Sequence, residues 1–306
     1  MERQKSFEHQ EIGKLYLVPT PIGNLEDITF RAIRVLQEVS LILAEDTRHT
    51  KKLLNHFDID TPQLSFHEHN SRQRIPGLVV DLLAGKSMAQ VSDAGTPSIS
   101  DPGFELVQAC IEAGIPVIPL PGANAAISAL IASGLVPQPF YFFGFLPRRK
   151  KDRIEQLEAL KSRSETVILY ESPYRLKECF SQIAQVYGEH QMVVLSRELT
   201  KKHEEFIRGS AKELMDLLEE ETLKGECCIL IGSKSKNEMR INRLDEEEDP
   251  AETSEMSVID FVAYLQTNQD LSQKDAIKKV AKIRQMRKQD VYRLVHQEEQ
   301  AENGEA

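Results

Sequence analysis

Apolar and polar positions along the chain follow two interleaved periods. Lys14 to Val18, Leu41 to Ala44, Met88 to Val91 and Ile115 to Pro119 are short apolar runs of strand length. Between them, Asp27 to Val39, Thr50 to Phe57 and Phe104 to Gly114 carry helical spacing, the last ending at glycine. Strand, charged loop and helix in turn predict a largely parallel sheet covered by helices, an N-terminal α/β domain over residues 13–119. The alternation then repeats. A small-residue helix to Gly134 is followed by strands at Phe140 to Gly144, Thr166 to Tyr170, Met192 to Leu195 and Cys227 to Ile231. Helices at Asp152 to Lys161, Tyr174 to Val186 and Ala211 to Glu221 separate them, so a second α/β domain is expected over 120–233.

Periodicity then lapses. Residues 234–254 are almost entirely polar, include Asp245-Glu-Glu-Glu-Asp249, and read as a solvated acidic linker. Helical spacing returns over 255–296, with Val258, Phe261, Val262 and Leu265 on one stripe and Ile277, Val280, Ala281 and Arg284 on another. From 269 to 296 there are eight Lys or Arg (274, 278, 279, 282, 284, 287, 288, 293) against three Asp, a local net of +5. That makes a basic helical module, expected to contact RNA, in a chain whose formal net charge is -10. A solvated helix face would have the same composition. Residues 1–12 and the last ten residues are polar and read as frayed ends.

The 306 residues suffice for two compact domains and an appendage. No apolar run approaches the length of a membrane span and no secretory leader is visible, so a cytoplasmic protein with no membrane partner is expected. Cys110, Cys179, Cys227 and Cys228 lack metal-like spacing and read as buried thiols. His67-Glu-His69 would make half a metal site, but no second cluster completes it, and no metal is assigned.

Ser92-Asp-Ala-Gly-Thr-Pro-Ser-Ile-Ser-Asp-Pro-Gly103 is the most informative segment. It joins a strand to a helix, and its glycines, prolines, hydroxyls and carboxylates suit a ligand loop at the carboxyl edge of a sheet. Neither the Gly-x-Gly-x-x-Gly turn of dinucleotide enzymes, the acidic-Gly-x-Gly-x-Gly turn of common methyltransferases nor a Walker-type lysine loop occurs. The first strand instead ends in Pro19-Thr-Pro-Ile-Gly-Asn24.

Taken with Glu45-Asp-Thr-Arg48, Pro119-Leu-Pro-Gly-Ala123, Gly144-Phe-Leu-Pro147, Tyr170-Glu-Ser-Pro173 and Arg197-Glu-Leu-Thr-Lys201, these segments resemble the tetrapyrrole-methylase superfamily, in particular its branch of rRNA ribose methyltransferases. The likeness spans residues 14–232 and the helical tail. One departure is visible: Tyr174 follows Ser-Pro where the family usually has histidine. The resemblance implies a two-domain α/β fold, a homodimer, and S-adenosylmethionine held in the interdomain cleft. It implies 2'-O-methylation of a cytidine ribose in the decoding centre of 16S rRNA, with the small ribosomal subunit as partner. By motif position the cofactor residues are Pro21, Ile22, Gly23, Asp93, Ala94, Gly95, Thr96, Ile99, Gly122, Asn124, Ala125, Tyr170, Glu171 and Glu226.

Methylating a ribose hydroxyl requires an oriented oxygen and help with its proton. Lys201 and Glu198 are the expected catalytic pair, with Glu45, Asp46 and Arg48 as further candidates, and interdomain salt bridges are the alternative use of the same charges. Arg148-Arg-Lys-Lys151 with Arg153 forms a basic cluster suited to RNA phosphates. Two other readings stay open from residues alone, a porphyrinoid C-methyltransferase and a non-catalytic ribosome-associated RNA-binding protein. The basic tail has no evident use in the first.

Overall fold

The computed structural model describes residues 3–7, 11–233, 256–269, 271–284 and 286–302. The expected linker at 234–254 lies outside them. The chain divides into two compact units, one up to residue 235 and one beyond it.

The first unit contains two sheets. In the first, β1 (Leu15–Leu17), β2 (Leu41–Ala44), β3 (Gln63–Ser65), β4 (Met88–Val91) and β5 (Val117–Pro119) are ordered β3-β2-β4-β1-β5. Every pairing is parallel. Both faces are covered, as an all-parallel sheet requires. Ile42, Ala44, Ala89 and Val91 pack on one side with Ala32, Val35 and Leu36 of α1 (Phe30–Glu38) and Leu54 of α2 (Thr47–His56). Leu15, Leu43 and Met88 pack on the other with α3 (Ser71–Leu83) and α4 (Phe104–Glu112). Side-chain caps set where α1 and α2 begin. The Thr29 hydroxyl accepts from the Ala32 amide, so a 3-10 turn at Leu25–Asp27 precedes a shorter α1 than the spacing predicts. The Asp46 carboxylate accepts from the Arg48 amide and starts α2 at Thr47. The N-terminus is less frayed than its polarity suggests, because the Gln4 amide exchanges hydrogen bonds with both backbone groups of Val117 on β5.

The second sheet is mixed. Its strands are β6 (Phe140–Phe145), β7 (Thr166–Glu171), β8 (Met192–Arg197), β9 (Glu205–Ser210) and β10 (Cys227–Ile231), ordered β6-β7-β10-β8-β9. β6 and β7 are parallel, and the other pairings are antiparallel. β9 is absent from the apolar pattern: an edge strand carrying Glu205, Arg208 and Ser210, it is formed by pairing along the whole of β8. One face of this sheet packs against α6 (Lys150–Lys161), α7 (Leu176–Tyr187) and α8 (Ala211–Glu220) around Phe180. On the other, Ile168, Val194, Cys228 and Leu230 meet Ala126, Ala129 and Leu130 of α5 (Ala125–Ser133). Thus α5, which follows the last strand of the first sheet, belongs by packing to the second.

β6 carries a bulge. Phe142 pairs with Ile168, yet Gly144, not Phe143, pairs with Leu169. Gly144 takes φ +85°, a conformation glycine adopts without steric penalty. The extra residue returns Phe145 to the face that already presents Phe140 and Phe142, opposite Tyr170.

The second unit holds α9 (Val258–Gln269), α10 (Gln273–Ile283) and α11 (Lys288–Glu302). Phe261, Val262 and Leu265 pack with Ile277, Val280, Ala281, Val291 and Val295, so both expected apolar stripes meet in one core. α11 continues to Glu302, into the segment expected to fray. Among the described residues, no helix is long and apolar enough to cross a membrane.

Candidate active site

Parallel strands deliver their carboxyl ends to one edge, and four connections converge there. Pro19 to Asn24 follows β1, Glu45 follows β2, Ser92 to Gly103 follows β4, and Pro121 to Asn124 follows β5. The loops are bonded to one another. Thr20 and Gly95 exchange backbone hydrogen bonds of 3.0 and 2.9 Å, and the Thr96 hydroxyl donates to the Ala123 carbonyl at 3.1 Å. Gln90, buried on β4, donates from Nε2 to Ser98 Oγ and to the Pro102 carbonyl, closing the long loop on itself.

These loops border a cavity of about 620 Å³, well within the size range of small-molecule sites. The first-sheet side supplies Ile22, Glu45, Asp93 to Thr96, Ile99 and Asn124. The second-sheet side supplies Phe140, Phe142, Phe145, Tyr170, Cys227 and Cys228, with Gly225 and Glu226 at the turn before β10. The Phe142 and Phe145 rings lie 5.0 and 5.7 Å from that of Tyr170, both edge-on. The Tyr170 hydroxyl accepts from the Ala126 amide at 3.1 Å, and burial pushes its pKa up to about 12, so it stays neutral.

One wall is acidic. Burial raises the Glu45 carboxyl above its ordinary range, and Asp101, Asp93 and Asp46 push it further. Asp101 is raised too, by burial first and then by Asp93, against a hydrogen bond from Ser92. Among the described residues, no Lys or Arg borders this cavity. Its carboxylates therefore favour a cationic ligand.

The expected cofactor residues Ile22, Asp93, Ala94, Gly95, Thr96, Ile99, Asn124, Ala125, Tyr170, Glu171 and Glu226 all border the cavity. Pro21, Gly23 and Gly122 do not. A Cβ on Gly23 would lie 2.3 Å from Lys201 Cγ, because the lysine stem fills the hollow over that glycine. Glu171 is buried and its carboxylate is used internally, accepting from the Ser172 amide at 2.8 Å and pairing with Arg175 at 3.2 Å.

Of the expected catalytic group, Glu45 alone borders the cavity. Asp46 caps α2 and binds the exposed Arg48 guanidinium, which holds its carboxyl well below the usual carboxylate range. The Asp46 amide in turn donates to Asp93 Oδ1 at 3.1 Å. Lys201 Nζ lies 2.9 Å from Glu198 and 3.1 Å from Glu226. Burial opposes its charge, but hydrogen bonds to those two carboxylates outweigh it and raise the lysine pKa. These ion pairs each stay within one sheet's half of the unit. The halves are joined instead by the Thr200 hydroxyl donating to Asp27 and by the Lys201 stem on Gly23. Glu198 and Thr200 take φ +51° and +65°, uncommon values for residues with a Cβ.

Phe140, Phe142 and Phe145 of the aromatic wall, and Asp101, border the cavity but are not among the expected site residues, whereas Tyr170 is. Phe140-Tyr-Phe-Phe-Gly-Phe145 carries the signal for the wall: an aromatic alternation whose glycine marks a bulge. Asp101 lies inside the binding loop already singled out.

The basic residues divide. Arg148, Arg149, Lys150 and Lys151 are exposed. Arg153 is fully buried, paired with Glu178 at 2.6 Å and hydrogen-bonded to Gln182, because its place on α6 faces the core; it cannot clamp phosphate. In the second unit Lys274, Lys278, Arg287, Lys288 and Arg293 are exposed, whereas Lys279 is buried and Arg284 donates to the Met256 carbonyl. His67 and His69 have ring centroids 5.9 Å apart, and Asn70 Nδ2 meets His67 Nε2 at 3.1 Å. Among the described residues, no group of three or more His, Cys, Asp or Glu is placed to hold a metal ion.

Residues 14–215 match the family model of tetrapyrrole (corrin/porphyrin) methylases. Over 297 residues the chain is 48% identical to ribosomal RNA small subunit methyltransferase I of Bacillus subtilis, covering 97% of this chain and 99% of that protein. The protein of the same name from Synechocystis is 52% identical over 220 residues, 72% of this chain and 79% of the relative. Among solved structures, a cobalt precorrin-4 methyltransferase superposes with a TM-score of 0.56 at 20% identity, over 72% of this chain and 94% of the other. A diphthine synthase does so with a TM-score of 0.58 at 13% identity, over 80% of this chain and all of the other. Two sheets, loops gathered at the parallel strand ends, the matched model and the extent of identity agree: the chain belongs to the tetrapyrrole (corrin/porphyrin) methylase family.

Proposed function

We propose that this protein transfers a methyl group from S-adenosylmethionine to the 2'-hydroxyl of a cytidine ribose in the decoding centre of 16S rRNA, in the cytoplasm. The 48% identity to a small-subunit rRNA methyltransferase across 97% of the chain carries the choice of substrate. The cavity is consistent with the donor. Its carboxylates suit a ligand whose sulfonium and ammonium groups are cationic, and its aromatic wall suits an adenine ring. When bound, the cofactor supplies an electrophilic methyl group on a cationic sulfur.

The chain's own residues do the rest. Asp93 and Asp101 present their carboxyl groups to the cationic ligand, while Phe142, Phe145 and Tyr170 exclude water from its apolar part. Glu45 accepts the proton of the ribose hydroxyl. Desolvation and neighbouring carboxylates make it a stronger base than an ordinary glutamate. Asp46 fixes the start of α2 and so the position of Glu45 beside it. Lys201, with Glu198, holds Glu226 at the rim of the cavity and keeps Gly23 in place beneath. Exposed cations at 148–151 and in the helical unit neutralise RNA phosphates.

The protein acts as a homodimer. Ile99, Phe104, Ile127 and Ile131 are exposed, and Ile99 and Ile127 border the cavity itself. Sedimentation equilibrium should give twice the 34.7 kDa chain mass.

The deciding experiment incubates the protein with methyl-labelled S-adenosylmethionine and either small subunits, free rRNA or a porphyrinoid precursor, and then locates the label. Label on a cytidine ribose is expected. Label on a porphyrinoid carbon with none on RNA would overturn the reading.

A further inference from the structure

Tyr174 is 96% exposed, yet its backbone belongs to a hydrogen-bonded turn beside the cavity. It is the middle residue of a single 3-10 turn, Pro173–Arg175, and the two residues before it, Ser172 and Pro173, border the cavity. Proline fixes the first position, and the Arg175 amide donates to the Ser172 carbonyl at 2.9 Å. The Arg175 guanidinium then pairs with buried Glu171 and donates to the carbonyls of Leu146 and Pro147 at 3.3 and 3.2 Å. Those two residues lead directly into the exposed run Arg148-Arg-Lys-Lys151, and follow Phe145 of the aromatic wall. Arg175 thereby ties the turn that carries this exposed ring to the segment that leads from the aromatic wall into four exposed cations.

Single exposed aromatics are ordinary on protein surfaces. This one differs in where it is held and what surrounds it. Holding the backbone rigid lowers the entropy lost when a ligand settles on the ring, and the neighbouring positive charge selects a polyanion. A flat apolar face beside cations suits an unpaired nucleobase in single-stranded nucleic acid, whose phosphates track the charge while a base stacks.

We infer that Tyr174 is a stacking platform for an unpaired base of the RNA substrate, placed to present the neighbouring ribose to the cavity. The inference rests on the rRNA-methylating reading above and adds a positioning residue to it. Tyr174 bonds to no reacting atom. Its effect falls on RNA binding, and cofactor binding is left as it was.

The chain contains no tryptophan, so a Tyr174→Trp variant carries a single indole reporter at the proposed contact. Titration of that full-length variant with a short single-stranded RNA should quench its emission, saturably and less tightly at high salt. The same RNA annealed to its complement, or S-adenosylmethionine alone, should not. In methylation assays on free rRNA and on small subunits, Tyr174→Leu should raise the KM for RNA about tenfold to a hundredfold, the range of one base-stacking contact. The KM for S-adenosylmethionine and kcat at saturating RNA should hold, and Tyr174→Phe should behave as wild type. Equal KM values for Tyr174→Leu and wild type, or equal quenching by paired and unpaired RNA, would overturn the inference. So would a defect seen on assembled subunits but absent on free RNA, which would assign the ring to a ribosomal protein. Failure of wild type itself to methylate any RNA would defeat the underlying reading, and is scored separately from the variants.

Discussion

The two sheets of the first unit border the same cavity by different means. The parallel sheet contributes strand ends: the loops after four of its five strands arrive at one place, and these loops are polar and acidic. The mixed sheet contributes part of a strand face, the portion of β6, β7 and β10 that α5 leaves uncovered, and it is largely aromatic. Loop ends place charge and hydrogen-bonding groups; a strand face places shape. The first half should therefore control protons and cation binding, and the second should control the fit of the apolar part of the ligand without titrating.

The sharpest way to break that division is Glu45→Gln. It should lower kcat by roughly 10²- to 10⁴-fold, as loss of a general base does, with folding intact. Because burial and like charge raise the Glu45 pKa, its active ionised form is lost as pH falls through a value above the ordinary 4.5. The wild-type rate should show that acid limb, and the variant's residual rate should lack it. A pH-independent loss, or no loss, would move the base elsewhere.

On the other wall, Phe142→Ala removes half-buried ring packing, worth about 2 kcal/mol of stability, and should raise the KM for cofactor at every pH alike. Thermal unfolding and pH-resolved kinetics check both parts. A shifted pH profile would mean that the aromatic wall also sets the electrostatics.

Asp101→Asn is expected to weaken cofactor binding about tenfold by calorimetry, roughly 1.4 kcal/mol. It should also move the acid limb of Glu45 to lower pH, since the like charge that raises that pKa most after burial is gone. A limb that stays in place would uncouple the two carboxylates.

The smallest effect is expected at Lys201→Met. Its ion pairs are partly exposed, so stability should fall by less than about 1 kcal/mol, with a modest rise in cofactor KM. A drop in single-turnover rate as large as that of Glu45→Gln would return Lys201 to the chemistry.

The same contrast decides what could be read before the fold was known. Strand-end loops are contiguous in sequence, so Ser92 to Gly103, Pro19 to Asn24 and the Asn124 turn carry recognisable strings of Gly, Pro and small polar residues. A wall built from alternate residues of several strands leaves no such string, and Phe142, Tyr170 and Cys228 meet only through the register of β6, β7 and β10. β9 escaped for a related reason: its residues have little apolar alternation, and pairing with β8 rather than propensity makes it a strand. Charge was the least legible quantity. Arg153 and Lys279 look like neighbours of the exposed cations in sequence, yet their positions on α6 and α10 turn them into cores. Asp46 and Arg48 look catalytic, yet each is bound to the other at a helix start.

The bulge in β6 makes the aromatic wall depend on the conformation of one glycine as well as on the identity of its rings. Replacing any one of Phe140, Phe142 or Phe145 alters a single ring. Closing the bulge at the native residue count, as a residue at position 144 unable to take the positive φ of Gly144 would favour, would restore the regular pleat and send Phe145 to the opposite, helix-covered face. A gene for this protein can thus drift through many conservative changes along this strand and keep its site, while a single codon change at Gly144, which does not border the cavity, would turn a ring out of the wall.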